Sequence, residues 1–187
     1  ISELDAVSQI SLSATVTGTI QKLVSCIKDQ EADSITEEFG EYMISDTAQA
    51  ALVECFQHAA IPIAELLKEK ISGNPGFDFH TVANESLILF GEAKYSGSAN
   101  KYKEALNQIQ DFIEKKKCDA ELILLEKLVK KDAIDNYING SKGFIAAFSI
   151  NSKNPENIIC NAIKSSHIDA VLCHSELYLI GVSVDVK

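Results

Sequence analysis

The spacing of hydrophobic residues in positions 34–73 is helical. Apolar side chains recur there at i, i+3 and i+4, and a proline interrupts the pattern at Pro62, so we expect two or three consecutive helices. Asp46 precedes an alanine-rich stretch and is a candidate N-cap, and the Gly-Asn-Pro-Gly sequence at 73–76 is a strong stop signal. The apolar positions that fit this spacing are Phe39, Tyr42, Met43, Ala51, Leu52, Cys55 and Phe56.

The helical pattern ends there, and two short runs rich in aromatic and β-branched residues follow. Residues 76–82 (GFDFHTV) and 86–94 (SLILFGEAK) are each of strand length, and only Ala-Asn-Glu separates them. Two such runs joined by a short polar connection are typical of a β-hairpin. We therefore predict two antiparallel strands.

Helical and strand patterns alternate through the rest of the chain. Residues 100–117 and 119–140 have helical spacing, and residues 154–166 begin with Asn154 as a cap and Pro155 in the first turn. Residues 143–150 (GFIAAFSI) are a continuous apolar run, typical of a strand buried on both faces. Residues 168–174 and 176–186 are predicted as closing strands. The fold class is therefore α/β, with a mixed sheet and helices on its faces.

The length and composition of the chain are typical of a single globular domain, which we assign to residues 1–187. Residues 1–35 are assigned to an N-terminal extension that begins with a strand or an extended arm. No apolar run approaches the roughly 18 residues of a membrane span, so no membrane association is expected. Five scattered cysteines, none in a C-x-x-C pair, indicate reduced thiols and a cytoplasmic location.

The formal net charge of −10 argues against a chain that binds nucleic acid over a broad basic face. The lysines nevertheless concentrate in residues 94–131, which include the run Lys115–Lys117. Any contact with phosphates is expected there, with Lys101, Lys103 and Lys115 as candidate nucleic-acid-binding residues. The same run is also explained by solvation and by the dipole at a helix C-terminus.

Candidate chemistry lies in the predicted hairpin. Side chains at i and i+2 of a strand share a face, so Glu92 and Lys94 project together, and pairing of the strands brings Asp78 beside Glu92. Two carboxylates about 4 Å apart repel by about 1 kcal/mol in water and about 4 kcal/mol at an effective dielectric of 20. A divalent cation such as Mg²⁺ or Mn²⁺ removes that penalty, and the ammonium of Lys94 can orient a nucleophile near a phosphate. The alternative is an exposed edge hairpin with a simple ion pair.

Other catalytic signatures are missing from the sequence. No glycine-rich phosphate loop follows a strand, and no G-x-S-x-G elbow occurs. His80 shares a strand face with Asp78; an ordinary polar contact is the favoured interpretation, and a supporting or substrate-facing role at the site is the alternative. Residues 95–98 (YSGS), directly after the Glu-Ala-Lys motif, have the composition of a flexible loop.

The sequence GFDFH…LILFGEAKYS, followed by a helix containing ALNQIQDFI, resembles the PD-(D/E)xK nuclease superfamily. That resemblance implies a restriction endonuclease-like mixed central sheet flanked by helices. It implies that Asp78 and Glu92 bind metal, with the main-chain carbonyl of Ala93 completing the shell, and that Lys94 is catalytic. Phe77 stands where the family has proline. The further site residues that the resemblance implies are Gln108 and a helix acid, Glu41, with Glu38, Glu54 and Glu65 as alternatives.

The same residues are similar to the nuclease subunit of bacterial Hachiman-type antiphage defence systems, which works beside a helicase. The resemblance implies a Mg²⁺- or Mn²⁺-dependent endonuclease that hydrolyses DNA. The acidic charge suggests that a helicase or another DNA-loading partner supplies affinity for DNA. The alternative function is a non-catalytic module of the nuclease fold that binds a protein partner through its acidic surface. Substrate strandedness, sequence specificity, RNA against DNA, and oligomeric state are left open.

Overall fold

The computed structural model describes residues 36–61 and 76–184, together with nine helical positions between residues 6 and 24. The helices are α1 (Glu37–Phe56), α2 (Tyr102–Glu114), α3 (Lys117–Leu125), α4 (Lys131–Ile138) and α5 (Pro155–Ile163). The strands are β1 (Ala59–Ala60), β2 (Phe79–Ala83), β3 (Leu87–Lys94), β4 (Gly143–Ile150) and β5 (Glu176–Ser183).

Within the described residues, the five strands form one mixed sheet in the order β1-β2-β3-β4-β5. Strands β1, β2 and β3 pair antiparallel, and β3, β4 and β5 pair parallel. The predicted hairpin is confirmed, and its tip is a tight turn in which Asn84 and Glu85 both have positive φ, 48° and 60°. Two left-handed residues at the tip match the right-handed twist of the flanking strands. The α/β class with a mixed sheet flanked by helices is therefore confirmed.

One face of the sheet is covered by α1. Ile44, Ala48 and Leu52 pack there against apolar side chains of the sheet that include Leu89 and Ala147. The buried side of α1 also contains Gly40, Ser45 and Gln49, so the helix approaches the sheet through small and polar residues. Of the stripe of apolar positions predicted for residues 39–56, Leu52 and Tyr42 do pack against the sheet, whereas others lie on the outer side of the helix.

Several members of that predicted stripe lie outward. Solvent reaches three of these positions, Met43, Cys55 and Phe56. They lie outward because α1 packs on the sheet through its other side, which carries the small residues. The predicted cap at Asp46 was also wrong, because α1 is continuous there and its N-cap is Thr36, which accepts a hydrogen bond from the amide of Phe39. The predicted kink at Pro62 and the stop at 73–75 lie outside the described residues.

The opposite face is covered by α2, α3 and α4. A group of aromatic rings forms its centre, with Phe77 contacting Phe90, Phe112 and Phe144 at centroid distances of 5.1 to 6.0 Å. Burying a side chain of this size stabilises a fold by roughly 1.5–3 kcal/mol. These rings therefore fix α2 over the C-terminal half of β3.

Strand β4 lies between two parallel neighbours and is buried at every position, as predicted for residues 143–150. Two other predicted elements were wrong. Residues 119–140 form two helices, because the chain folds back at 126–130 so that Leu125 and Tyr137 bury against the same sheet face. Residues 168–174 form turns after a short 3₁₀ helix (Ser166–Ile168), and Ile168 and Val171 reach the core from these turns.

Two smaller expectations also change. Pro155 begins α5 as predicted and Asn154 precedes it, but within the described residues its side chain makes no capping hydrogen bond. The described positions between 6 and 24 are helical, so the expected strand or extended arm was wrong at those positions. Among the described helices, none has both the length and the apolarity needed to cross a bilayer.

Candidate functional site

The hairpin register brings Asp78 beside Glu92. Phe79 pairs with Gly91, so continuing the antiparallel ladder by one position places Asp78 opposite Glu92. The amide of Asp78 donates to the carbonyl of Gly91 at 2.9 Å, and the amide of Ala93 donates to the Asp78 carboxylate at 2.8 Å. Asp78 is therefore fixed to β3 by its main chain and by its side chain.

Glu92 faces the interior on the same side of β3 as Phe90. Its exposed fraction is 0%, and neither side-chain oxygen has a hydrogen-bond partner of good geometry among the described residues. An enclosed carboxylate without hydrogen bonds costs free energy, because water no longer solvates the charge. Such a group requires a cation or a proton.

The ammonium of Lys94 is a cation in direct contact with Glu92. Its Nζ lies 2.9 Å from Glu92 Oε1 and 2.9 Å from Glu41 Oε1. Of the helix acids considered from the sequence, Glu41 is therefore placed at the site by α1. Glu38 and Glu54 are exposed on the same helix, and Glu65 lies outside the described residues.

The ionisation of these groups is strongly coupled. Burial raises the pKa of Glu92 well above its ordinary value, and Asp78 and Glu41 raise it further, whereas Lys94 opposes them. Burial alone would lower the pKa of Lys94, but the carboxylates of Glu92, Glu41 and Asp78 outweigh it and the net shift is upward. Because Lys94 has Glu41 as a second partner, the ammonium stays charged, and Glu92 is the member of the pair that takes up a proton.

An open groove of about 520 Å³ lies between the end of β3 and helix α2. Its lining residues are Lys94, Glu104, Asn107, Gln108, Asp111 and Phe112. Gln108 thus lines the groove together with Lys94. The groove gives a ligand access to the ammonium side of the site.

The lysines expected to contact phosphates lie along α2. Lys101 pairs with Glu104 at 2.6 Å, and Lys115 pairs with Asp111 at 2.7 Å. Lys103 is exposed on the same helix. Two of the three candidates are thus partly neutralised by neighbouring acids, which weakens the electrostatic attraction that α2 offers to a polyanion.

The segment after the motif is held more firmly than its composition predicted. Ser149 of β4 accepts from the amide of Ser96 at 2.8 Å and donates to the Ser96 carbonyl at 3.1 Å. Asn151 donates from its side chain to the carbonyl of Gly97. These contacts fix the chain where it leaves β3, so the connection to α2 is an ordered wall of the site.

His80 and Glu121 form a buried pair next to the site. His80 Nε2 lies 2.6 Å from one oxygen of Glu121, and the other oxygen accepts from the amide of Phe77 at 3.0 Å. The ring of His80 therefore points into the core towards α3, so His80 makes the ordinary polar contact that was favoured, and the substrate-facing alternative was wrong. Sequence reasoning missed Glu121; an acid within the apolar run AELILL was the available signal.

Metal binding was tested against these side chains. Among the described residues, no group of three or more His, Cys, Asp or Glu is arranged to hold a metal ion. Asp78 lies opposite Glu92 in the hairpin and its charge raises the pKa of Glu92, while one buried oxygen of Glu92 faces the ammonium of Lys94. Mg²⁺ and Mn²⁺ commonly use one or two carboxylates and complete their shell with water and substrate oxygens. The residues therefore fit a two-carboxylate site.

Comparison of the chain with protein-family models, curated proteins and solved structures finds no match in any of the three. What the site can do therefore follows from its own residues.

Proposed function

We propose that this protein is a metal-dependent nuclease that hydrolyses phosphodiester bonds in DNA. The observation that carries the proposal is the state of Glu92: a fully enclosed carboxylate that lies opposite Asp78 and contacts the ammonium of Lys94. A structural ion pair needs one acid and one base. The additional carboxylate beside Glu92 is accounted for by a divalent cation.

Each residue then has a defined task. Asp78 and Glu92 hold Mg²⁺ or Mn²⁺, and the ion, when bound, supplies a Lewis acid for the phosphate and a nucleophile at neutral pH. Lys94 stays charged and offsets the negative charge that develops on the phosphate, while Glu41 holds its Nζ in place at 2.9 Å. Gln108 lines the groove beside Lys94, within a surface that can contact the substrate.

The proposal extends to the fold and to the partner. A hairpin that carries the acid and the Glu-Ala-Lys motif, followed by α2 and the parallel strand β4, supports a restriction endonuclease-like arrangement. The net charge of −10 and the paired lysines of α2 support delivery of DNA by a second protein, such as a helicase in an antiphage defence system.

The test is cleavage of plasmid DNA by purified protein with Mg²⁺ or Mn²⁺, at several salt concentrations. We expect the wild type to cut and Glu92→Gln and Lys94→Ala each to lose about 100-fold or more in rate. Lys153→Ala is the matched control, since it removes an exposed lysine far along the sequence from the motif. Cleavage that persists undiminished in both site variants would rule out this site.

A second candidate is a non-catalytic module that binds a protein partner through its acidic surface. It is favoured by Lys94, whose ammonium contacts both Glu41 and Glu92 and so offsets part of the negative charge of the cluster. This candidate predicts that metal-free and metal-treated protein bind the partner equally, and that Asp78→Asn leaves function intact. Loss of function in Asp78→Asn with the fold retained would count against it.

A further inference from the structure

A buried polar contact joins α3 to the strand segment that carries Asp78. His80 and Glu121 have exposed fractions of 2% and 6%, and their side chains meet at 2.6 Å. The second oxygen of Glu121 accepts the amide of Phe77 at 3.0 Å. The Glu121 carboxylate therefore contacts two residues of this segment, the amide of Phe77 and the ring of His80.

These two points enclose Asp78. Phe77 precedes it directly, and His80 follows two positions later on the same strand face. On its other side, Asp78 is tied to β3 through the carbonyl of Gly91 and the amide of Ala93. The segment is thus held from α3 on one side and from β3 on the other.

A simple packing role explains this contact poorly. Around it lie the rings of Phe77 and Phe90, at 6.4 and 5.2 Å from the His80 ring, and an apolar side chain at position 121 would fill such a space without desolvating a carboxylate. What an apolar residue cannot do is accept the Phe77 amide and orient the His80 ring. The polar pair therefore specifies the position of the main chain around Asp78.

We propose that Glu121 is a positioning residue that sets the place of Asp78 opposite Glu92. The catalytic consequence rests on the proposed function, whereas the positioning itself does not. Without Glu121, the buried Phe77 amide loses its acceptor and the His80 ring loses its partner, so residues 77–80 relax towards other arrangements. A displacement of about 1 Å at a reacting centre can cost about 100-fold in rate.

The experiment compares Glu121→Leu, Glu121→Gln and the matched control Glu126→Leu, which changes an exposed acid at the end of the same helix. The first readout is hydrogen exchange at the Ala93 amide by NMR, without metal or DNA, because that amide donates to Asp78. We expect exchange about tenfold faster in Glu121→Leu than in the control. Glu121→Gln should restore protection, since its amide oxygen can still accept from Phe77.

The second readout is kcat and KM for DNA cleavage. Glu121→Leu should lower kcat by about 10- to 100-fold at saturating Mg²⁺ with KM unchanged, because Phe77, His80 and Glu121 are buried and do not line the groove. If Glu121→Leu does not fold, His80→Leu removes one of the two anchors and is judged by the same amide, with intermediate loss of protection expected.

Ala93 exchange that matches the Glu126→Leu control in every folded variant overturns the positioning role. A wild type that cleaves no DNA removes the proposed nuclease function, and the Ala93 result then decides the positioning role by itself.

Discussion

Replacing Glu92 by glutamine removes one ionisable proton from a fully enclosed carboxyl while leaving its shape almost unchanged. The amide keeps an oxygen that can face the ammonium of Lys94, which lies 2.9 Å from Glu92 Oε1 in the wild type. The substitution therefore isolates the free energy of ionising Glu92 inside the fold.

Whether the free energy of unfolding rises or falls with pH follows from the direction of the pKa shift of Glu92. The ordinary pKa is 4.5, and the folded-state pKa of Glu92 is raised well above it by burial and by Asp78. Between these values the unfolded chain releases the proton and the folded chain keeps it, so the free energy of unfolding of the wild type falls as pH rises. One retained proton corresponds to about 1.4 kcal/mol per pH unit. Below the unfolded pKa both states are protonated, and this loss is absent.

The assay is urea unfolding in EDTA between about pH 4.5 and about pH 7.5. The stability of Glu92→Gln relative to wild type should rise with pH across this window and level off above the folded-state pKa. Glu126→Gln makes the same replacement of glutamate by glutamine at an exposed position, and its profile is subtracted. A flat difference, or one that falls as pH rises, would show that Lys94 holds Glu92 ionised and would refute the reasoning.

Two further predictions concern the frame around the site. A Cβ at Gly40 would lie 2.1 Å from the Tyr95 ring, so Gly40→Ala should lower stability by about 1–3 kcal/mol by thermal unfolding; the ordinary gain from alanine in a helix, about 0.5–1 kcal/mol, would contradict this contact. Ser149→Ala leaves the Ser96 amide without its acceptor and should cost about 1–3 kcal/mol, with faster hydrogen exchange at Ser96. The control for Ser149→Ala is Ser98→Ala, at an exposed position. Equal losses of stability in these two variants would contradict an ordered segment between β3 and α2.

Local patterns were enough to predict the strands that carry the site. The run 143–150 has eight apolar or small residues without a break, and a strand covered on both faces is the element that uses such a run. In β3, side chains two positions apart share a face of the strand, which likewise places Glu92 and Lys94 together. Those inferences depend only on neighbouring residues in the chain.

Other features depend on contacts between distant residues, and the sequence patterns misled there. The buried side of α1 includes small and polar residues such as Gly40, Ser45 and Gln49, so apolar spacing identified only part of the buried face. Residues 168–174 are apolar enough for a strand, yet they bury two side chains from turns. Glu121 is recognisable only once α3 is known to lie over residues 77–80.

The central claim is that Asp78 and Glu92 together hold a divalent cation. Its most direct test is calorimetric titration of metal-free protein with Mn²⁺ near neutral pH. The wild type should bind a single ion with heat that varies with the buffer, because Glu92 releases a proton on binding, and Asp78→Asn and Glu92→Gln should each weaken binding by about tenfold or more. A wild type that gives no binding heat, or variants that bind as the wild type does, would contradict the claim.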